Sequence, residues 1–125
     1  MATERVVLDS SCWLEFFSNS SHAETYAAVI ADTAALIVPV LTIYEVYKVA
    51  LREFGAGPAN QAAALMRQGQ VIDIDLTLAL SAAANGLPMA DSLIYATAQS
   101  HGATLWTQDT HFEGLAGVRF FKKTP

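Results

Sequence analysis

Short apolar runs alternate along this chain with longer stretches of helical period, and polar or glycine-containing breaks separate them. Arg5-Val-Val-Leu8 reads as a buried strand; the polar turn Asp9-Ser10-Ser11 follows, and the aromatic-rich stretch Cys12 to Phe17 reads as a helix. Ser18-Asn19-Ser20-Ser21 offers capping residues to a helix near His22 to Thr33, and Ala35 to Val38 forms another strand, ended by Pro39. Leu41 to Phe54 is a helix stopped by Gly55-Ala56-Gly57-Pro58, and the alanine-rich stretch Ala59 to Gln68 is a helix that Gly69 terminates. Val71 to Asp75 alternates as a strand, with Asp73 and Asp75 on one solvated face. Leu76 to Asn85 and Ala90 to His101 read as helices ended by Gly86 and Gly102, with Pro88 ahead of the second. Ala103 to Thr107 and Val118 to Phe121 are the remaining strands, before a basic tail, Lys122-Lys123-Thr124-Pro125. Strands alternating with helices, with few hairpin signals, predict an α/β sandwich around a mainly parallel sheet of about four to five strands.

Against this frame, four carboxylates stand out because each adjoins an apolar, core-forming segment: Asp9, Glu45, Asp91 and Asp109. The other acids mostly fall near segment ends or on polar faces, where solvation explains them. In an open parallel sheet the functional crevice lies at the carboxyl ends of the strands. Asp9 and Asp109 directly follow predicted strands, Asp91 lies in the first turn of a helix whose positive dipole end favours a carboxylate, and Glu45 is one turn into its own helix. One cleft therefore accommodates all four. Carboxylates so close raise one another's pKa unless a positive charge joins them, and Mg²⁺ or Mn²⁺ is the economical partner for a set of oxygen donors. His22, His101 and His111 are scattered at loop or helix-end positions, so no histidine or cysteine cluster invites zinc. Each acid also has a plainer role. Asp9 and Asp91 would cap or complement helices, Asp109 would be a turn residue, and Glu45, Lys48 and Arg52 at i, i+3 and i+7 would form a solvated helix stripe. Their joint placement favours the metal site.

A length of 125 residues fits one domain, spanning residues 1–125, and a hydrophobic fraction of 53% with 15% charged residues excludes disorder. No apolar run approaches the roughly 18 residues needed to span a membrane. The amino terminus lacks the apolar centre and cleavage site of a secretory signal, and the lone Cys12, read as a buried inert thiol, fits a reducing compartment; together these predict the cytoplasm. The net charge of −5 argues against a general nucleic-acid binder. Discounting the four candidate ligands leaves −1 for the remaining surface, so selective RNA binding stays open.

Val-Leu-Asp9-Ser-Ser, Pro39 ahead of the helix carrying Glu45, Leu87-Pro-Met-Ala-Asp91-Ser-Leu-Ile-Tyr-Ala-Thr-Ala98 and Leu105-Trp-Thr107-Gln-Asp109-Thr-His-Phe112 together resemble the PIN-domain ribonucleases, and within them the VapC-type toxins of bacterial toxin–antitoxin pairs. The resemblance covers nearly the whole chain and rests on the order and spacing of the pieces. It implies a three-layer α/β/α fold and an acidic Mg²⁺ or Mn²⁺ site of Asp9, Glu45, Asp91 and Asp109, with Ser10 and Thr107 orienting ligands or water. It also implies endonucleolytic cleavage of RNA, homodimerisation, and inhibition by a cognate antitoxin that inserts a segment near the active site. Lys48 and Arg52 are candidates for contact with RNA phosphate or an acidic partner. Trp13, Phe16 and Phe17 are expected in the core, or in part lining a groove for the antitoxin or a second protomer. A housekeeping PIN nuclease and a non-catalytic binding scaffold of the same fold are the alternatives; the absence of an appended RNA-binding domain favours the toxin, and the intact acids disfavour the scaffold.

Overall fold

A computed structural model of the protein describes residues 4–123. Met1–Thr3 of the expected leaderless terminus and the last two residues of the basic tail, Thr124 and Pro125, lie outside the described residues. The strands are β1 (Val6–Leu8), β2 (Leu36–Pro39), β3 (Gln70–Ile72), β4 (Thr104–Thr107) and β5 (Val118–Phe120). The helices are α1 (Ser10–Phe17), α2 (Ala23–Ala31), α3 (Val40–Phe54), α4 (Ala56–Met66), α5 (Leu76–Ala83) and α6 (Met89–Ser100), with a 3₁₀ turn at Thr110–Phe112. The sheet is wholly parallel, in the order β3-β2-β1-β4-β5.

The strand side chains alternate between two cores, which makes the fold three-layered. Val6, Leu8, Leu36, Val38 and Trp106 face a cluster built with Cys12, Trp13, Tyr26, Ile30, Val46, Ala62 and Met66 from α1 to α4. Val7, Ile37 and Leu105 face the opposite cluster, with Ile94, Tyr95 and Ala98 of α6 and Phe112. Helix α5 stacks on the outside of α6 through Leu78, Ala82 and Ala96. Trp13 is thus core, Phe16 is packed at its margin, and Phe17 is exposed. Cys12 is buried, its thiol pushed up to about 12 by desolvation and directed at the Trp106 carbonyl, so it is the inert thiol expected.

Three expected boundaries shift, each for a local reason. Helix α4 starts at Ala56 and carries Pro58 in its first turn, where the missing N–H costs no bond, so Pro58 is a starter and not the breaker read from sequence. Strand β3 is Gln70–Ile72 and stops where its neighbour β2 ends at Pro39. Asp75, expected on a solvated strand face, instead caps α5 by accepting the Leu78 N–H at 2.8 Å. Gly69 is required by close approach: a Cβ there would meet the Leu36 carbonyl and Val38 Cγ2, each at 2.9 Å. Among the described residues no helix is long and apolar enough to cross a membrane.

Candidate metal centre

The chain runs from β1 outward to β2 and β3, then returns to lay β4 on the other side of β1. The switch point of the sheet therefore lies between β1 and β4, where the carboxyl ends of two adjacent strands leave a crevice. Asp9 follows β1, and its N–H donates to the Trp106 carbonyl of β4 at 2.9 Å; Asp109 lies just beyond the end of β4. Asp9, Glu45, Asp91 and Asp109 all line one cleft of about 1500 Å³.

Asp9 is only 3% exposed and makes no side-chain cap bond to α1, so helix capping does not explain it. Its Oδ2 instead accepts two hydroxyls, Ser11 Oγ at 3.0 Å and Thr107 Oγ1 at 2.9 Å. Each hydroxyl is itself oriented by a backbone amide of the turn after β4: Gln108 N–H donates to Ser11 Oγ at 3.2 Å and Asp109 N–H to Thr107 Oγ1 at 2.9 Å. Thr107 Oγ1 thus bridges the Asp9 carboxylate and the Asp109 N–H. Burial pushes the Asp9 carboxyl above its ordinary value; the hydroxyls pull against this and the Asp109 charge adds to it.

Glu45 is raised for the same leading reason, desolvation, opposed by the Ser10 hydroxyl and reinforced by the charges of Asp9, Asp91 and Asp109. Among the described residues, no hydrogen-bond donor reaches its buried Oε1. Asp109 is both a turn residue and a cleft residue, because its Oδ1 accepts the His111 N–H at 2.9 Å while the carboxylate faces the cleft. Asp91 lies in the first turn of α6 and its Oδ2 is 2.7 Å from His111 Nδ1. His111 also approaches Asp109 Oδ1 at 3.4 Å, and these two carboxylates raise the imidazole pKa.

Sequence reading missed three residues here. His111 is not scattered; the 3₁₀ turn folds it back onto Asp91 and Asp109, and ligand atoms of the three lie within 4.8 Å of one another. Ser11 supplies a hydroxyl to Asp9, whereas the hydroxyl of Ser10 serves Glu45. Gln108 is buried and donates through Nε2 to Tyr26 Oη at 3.0 Å and to Glu15 Oε2, tying β4 to α1 and α2. An amide set between Thr107 and Asp109 was the available signal for Gln108, and the i, i+2 spacing from Asp109 the signal for His111. Lys48 lines a separate groove with Tyr44 and Leu51, and Arg52 pairs with Glu53 at 3.4 Å; neither lines the acid cleft.

A PIN domain family model matches residues 6–118. The chain belongs to the PIN domain family. Among solved structures, this PIN domain resembles a toxin–antitoxin complex from Klebsiella pneumoniae with a TM-score of 0.75 and 24% identity, over 91% of this chain and 95% of the other. It resembles a sarcin–ricin-loop-cleaving VapC toxin of Mycobacterium tuberculosis with a TM-score of 0.71 and 16% identity, over 96% and 99% of the two chains. A DNA-bound VapBC from Salmonella typhimurium aligns with a TM-score of 0.67 and 17% identity, over 95% and 98%. These likenesses establish a shared fold. No curated protein sequence matches this PIN domain.

Proposed function

We propose that this PIN domain is a metal-dependent endoribonuclease that acts as the toxin of a toxin–antitoxin pair. The observation that carries the reading is the buried Glu45 Oε1, which no donor reaches among the described residues, in a cleft shared with Asp9, Asp91 and Asp109. A buried polar atom without a partner costs on the order of 1–3 kcal/mol, and more for a charged group, so the site is built for a ligand that satisfies it. Oxygen donors clustered at this density suit a hard divalent cation, Mg²⁺ or Mn²⁺, which Asp9, Glu45, Asp91 and Asp109 would hold, with His111 beside them. Such a cation supplies water activation and charge stabilisation in phosphodiester hydrolysis. The protein's part is orientation: Ser11 and Thr107 fix the Asp9 carboxylate, Asp109 is tied to the same hydroxyl through its own N–H, and Ser10 steadies Glu45.

The toxin assignment draws on the fold shared with a sarcin–ricin-loop-cleaving toxin and with toxin–antitoxin complexes. The cleft also continues from the acids along Leu14, Phe17, Val49, Phe54 and Leu65, an apolar floor for an antitoxin segment reaching the site. The outer face of α3, where Val40, Ile43, Tyr44, Tyr47 and Leu51 line an apolar groove, is where a second copy would pack to form the homodimer. A Mg²⁺-dependent nuclease acting on cellular RNA would work in the cytoplasm, where both are found. The test is incubation of end-labelled tRNA and rRNA with the purified protein and Mn²⁺ or Mg²⁺, with chelator, and with Asp9→Ala in parallel. Cuts at few positions, lost with chelator and in the variant, are expected; intact RNA with folded, metal-loaded protein would refute the nuclease.

A further inference from the structure

An acidic cleft repels the polyanion it is proposed to cut, so the cations nearest to it matter. The chain carries only seven Lys and Arg residues. Arg5 lies at the amino end of β1 and donates to the His101 carbonyl, and Arg67 caps α4 ahead of β3, so both sit at the end of the sheet away from the acids. Lys48 is on the separate groove of α3 and Arg52 is paired with Glu53. The remaining three, Arg119, Lys122 and Lys123, fall within five residues of one another at and beyond β5. Because the sheet is parallel, the chain leaves β5 at the same end at which it leaves β1 and β4. Among the described residues, Lys123 is the one Lys or Arg lining the cleft, where it shares the wall with Ser18, Ser20 and Thr110.

This segment is held in place. Phe121 is buried against Tyr26, Trp106 and His22, and its N–H donates to the Thr107 carbonyl at 2.8 Å. The Arg119 guanidinium lies over the rings of Trp106 and Phe121 at 4.5 and 4.8 Å, and His22 Nε2 bonds the Lys122 carbonyl at 3.2 Å. The backbone that carries Lys122 and Lys123 is thus anchored while their side chains are exposed, and cations presented beside hydroxyls are what a sugar–phosphate backbone recognises without regard to base sequence.

We infer that Lys122 and Lys123, set on the Phe121 and His22 mount, form a phosphate-binding rim that seats single-stranded RNA across the acid cleft. The inference rests on the nuclease reading. The rim offsets the repulsion of the cleft, fixes the direction of the strand, and contributes affinity that is independent of sequence and sensitive to salt.

The test is fluorescence-anisotropy titration of a mixed-sequence single-stranded oligoribonucleotide across a range of salt, in the presence of Mn²⁺. Asp9→Asn is present in every arm to keep the probe intact. Lys122→Gln/Lys123→Gln is compared with its parent and with Lys48→Gln/Arg52→Gln. Each lost phosphate contact lowers the slope of log K against log salt by about 0.7 for a single strand, so the rim variant is expected to be shallower by about 1.4 and weaker by roughly tenfold near 0.1 M salt. The α3 variant is expected to match the parent. In the wild-type background the rim variant should raise KM with kcat unchanged, and thermal melting should show both proteins folded. A rim variant with an unchanged slope, or a loss carried by Lys48 and Arg52 instead, overturns the rim while wild-type cleavage leaves the nuclease standing. A wild-type protein that neither binds nor cuts RNA overturns both.

Discussion

Thr107→Val isolates the hydrogen-bond work done by one hydroxyl, because valine keeps the shape of threonine at a position with no exposed surface. Thr107 Oγ1 donates to Asp9 Oδ2 and accepts from the Asp109 N–H, each at 2.9 Å, so a single substitution releases two candidate ligands at once. A hydrogen bond to a charged group contributes about 1.5–3 kcal/mol and a neutral one about 0.5–1.5 kcal/mol, and the buried valine methyl returns roughly 0.8 kcal/mol. The net loss is therefore about 1–4 kcal/mol. For a chain of this size that lowers Tm by roughly 3–20 °C, at about 3–5 °C per kcal/mol. Loss of an orienting partner typically weakens metal binding about 10–100-fold. Differential scanning calorimetry and Mn²⁺ titration calorimetry read the two effects separately. Thr107→Ser, which keeps the hydroxyl, should retain near-normal Mn²⁺ affinity and lose only about 1 kcal/mol for its missing methyl. A valine variant that melts with the serine variant and binds Mn²⁺ like the parent would refute the assignment of Thr107 as the link between Asp9 and Asp109.

Burial raises the carboxyls of Asp9 and Glu45, so the folded state holds their protons more tightly than the unfolded state does. In the metal-free protein this costs stability as pH rises from the ordinary carboxylate range through the raised values, and the cost is absent at the acid end. Asp9→Asn removes one such titration; its stability relative to wild type should grow with pH across that window and then level off, in chelator-treated melts at matched pH, and a flat difference would contradict the burial argument. At a Mn²⁺ concentration of 100 times its Kd, the wild type should gain about 2.7 kcal/mol, whereas Glu45→Gln at the same concentration should gain less than half of that in thermal melts. Gly69→Ala forces a Cβ against Leu36 and Val38 and should cost about 1–3 kcal/mol in urea denaturation while leaving Mn²⁺ affinity intact, since Gly69 lies outside the cleft.

The alternation of strands and helices was legible because the central strands β1 and β2 are short apolar runs and the crossover helices between strands have polar or glycine-containing breaks at their ends. Asp9 and Asp109 were legible for the same reason: an acid directly after a buried run lies at the carboxyl end of a parallel strand. Glu45 was harder. Periodicity put it on one stripe with Lys48 and Arg52, yet three residues along a helix turn the side chain to within about 60° of the start, not onto it. That angle suffices to set Glu45 in the cleft and Lys48 on the outer groove. His111 and Ser11 were missed because their contacts depend on turn geometry: the 3₁₀ turn at Thr110–Phe112 returns His111 to Asp91, twenty positions earlier in the chain. Gln108 escaped because its bonds to Glu15 and Tyr26 join elements far apart in sequence.

The acids that meet at the switch point come from positions 9, 45, 91 and 109, and β4, which places the last of them, pairs with both the first strand and the final one. No fragment of the sheet contains the cleft. A polypeptide emerging from the ribosome therefore has no assembled cleft until the segment carrying β4 and Asp109 has been made and has paired with β1, so the meeting of the four acids is a late event in the synthesis of this domain.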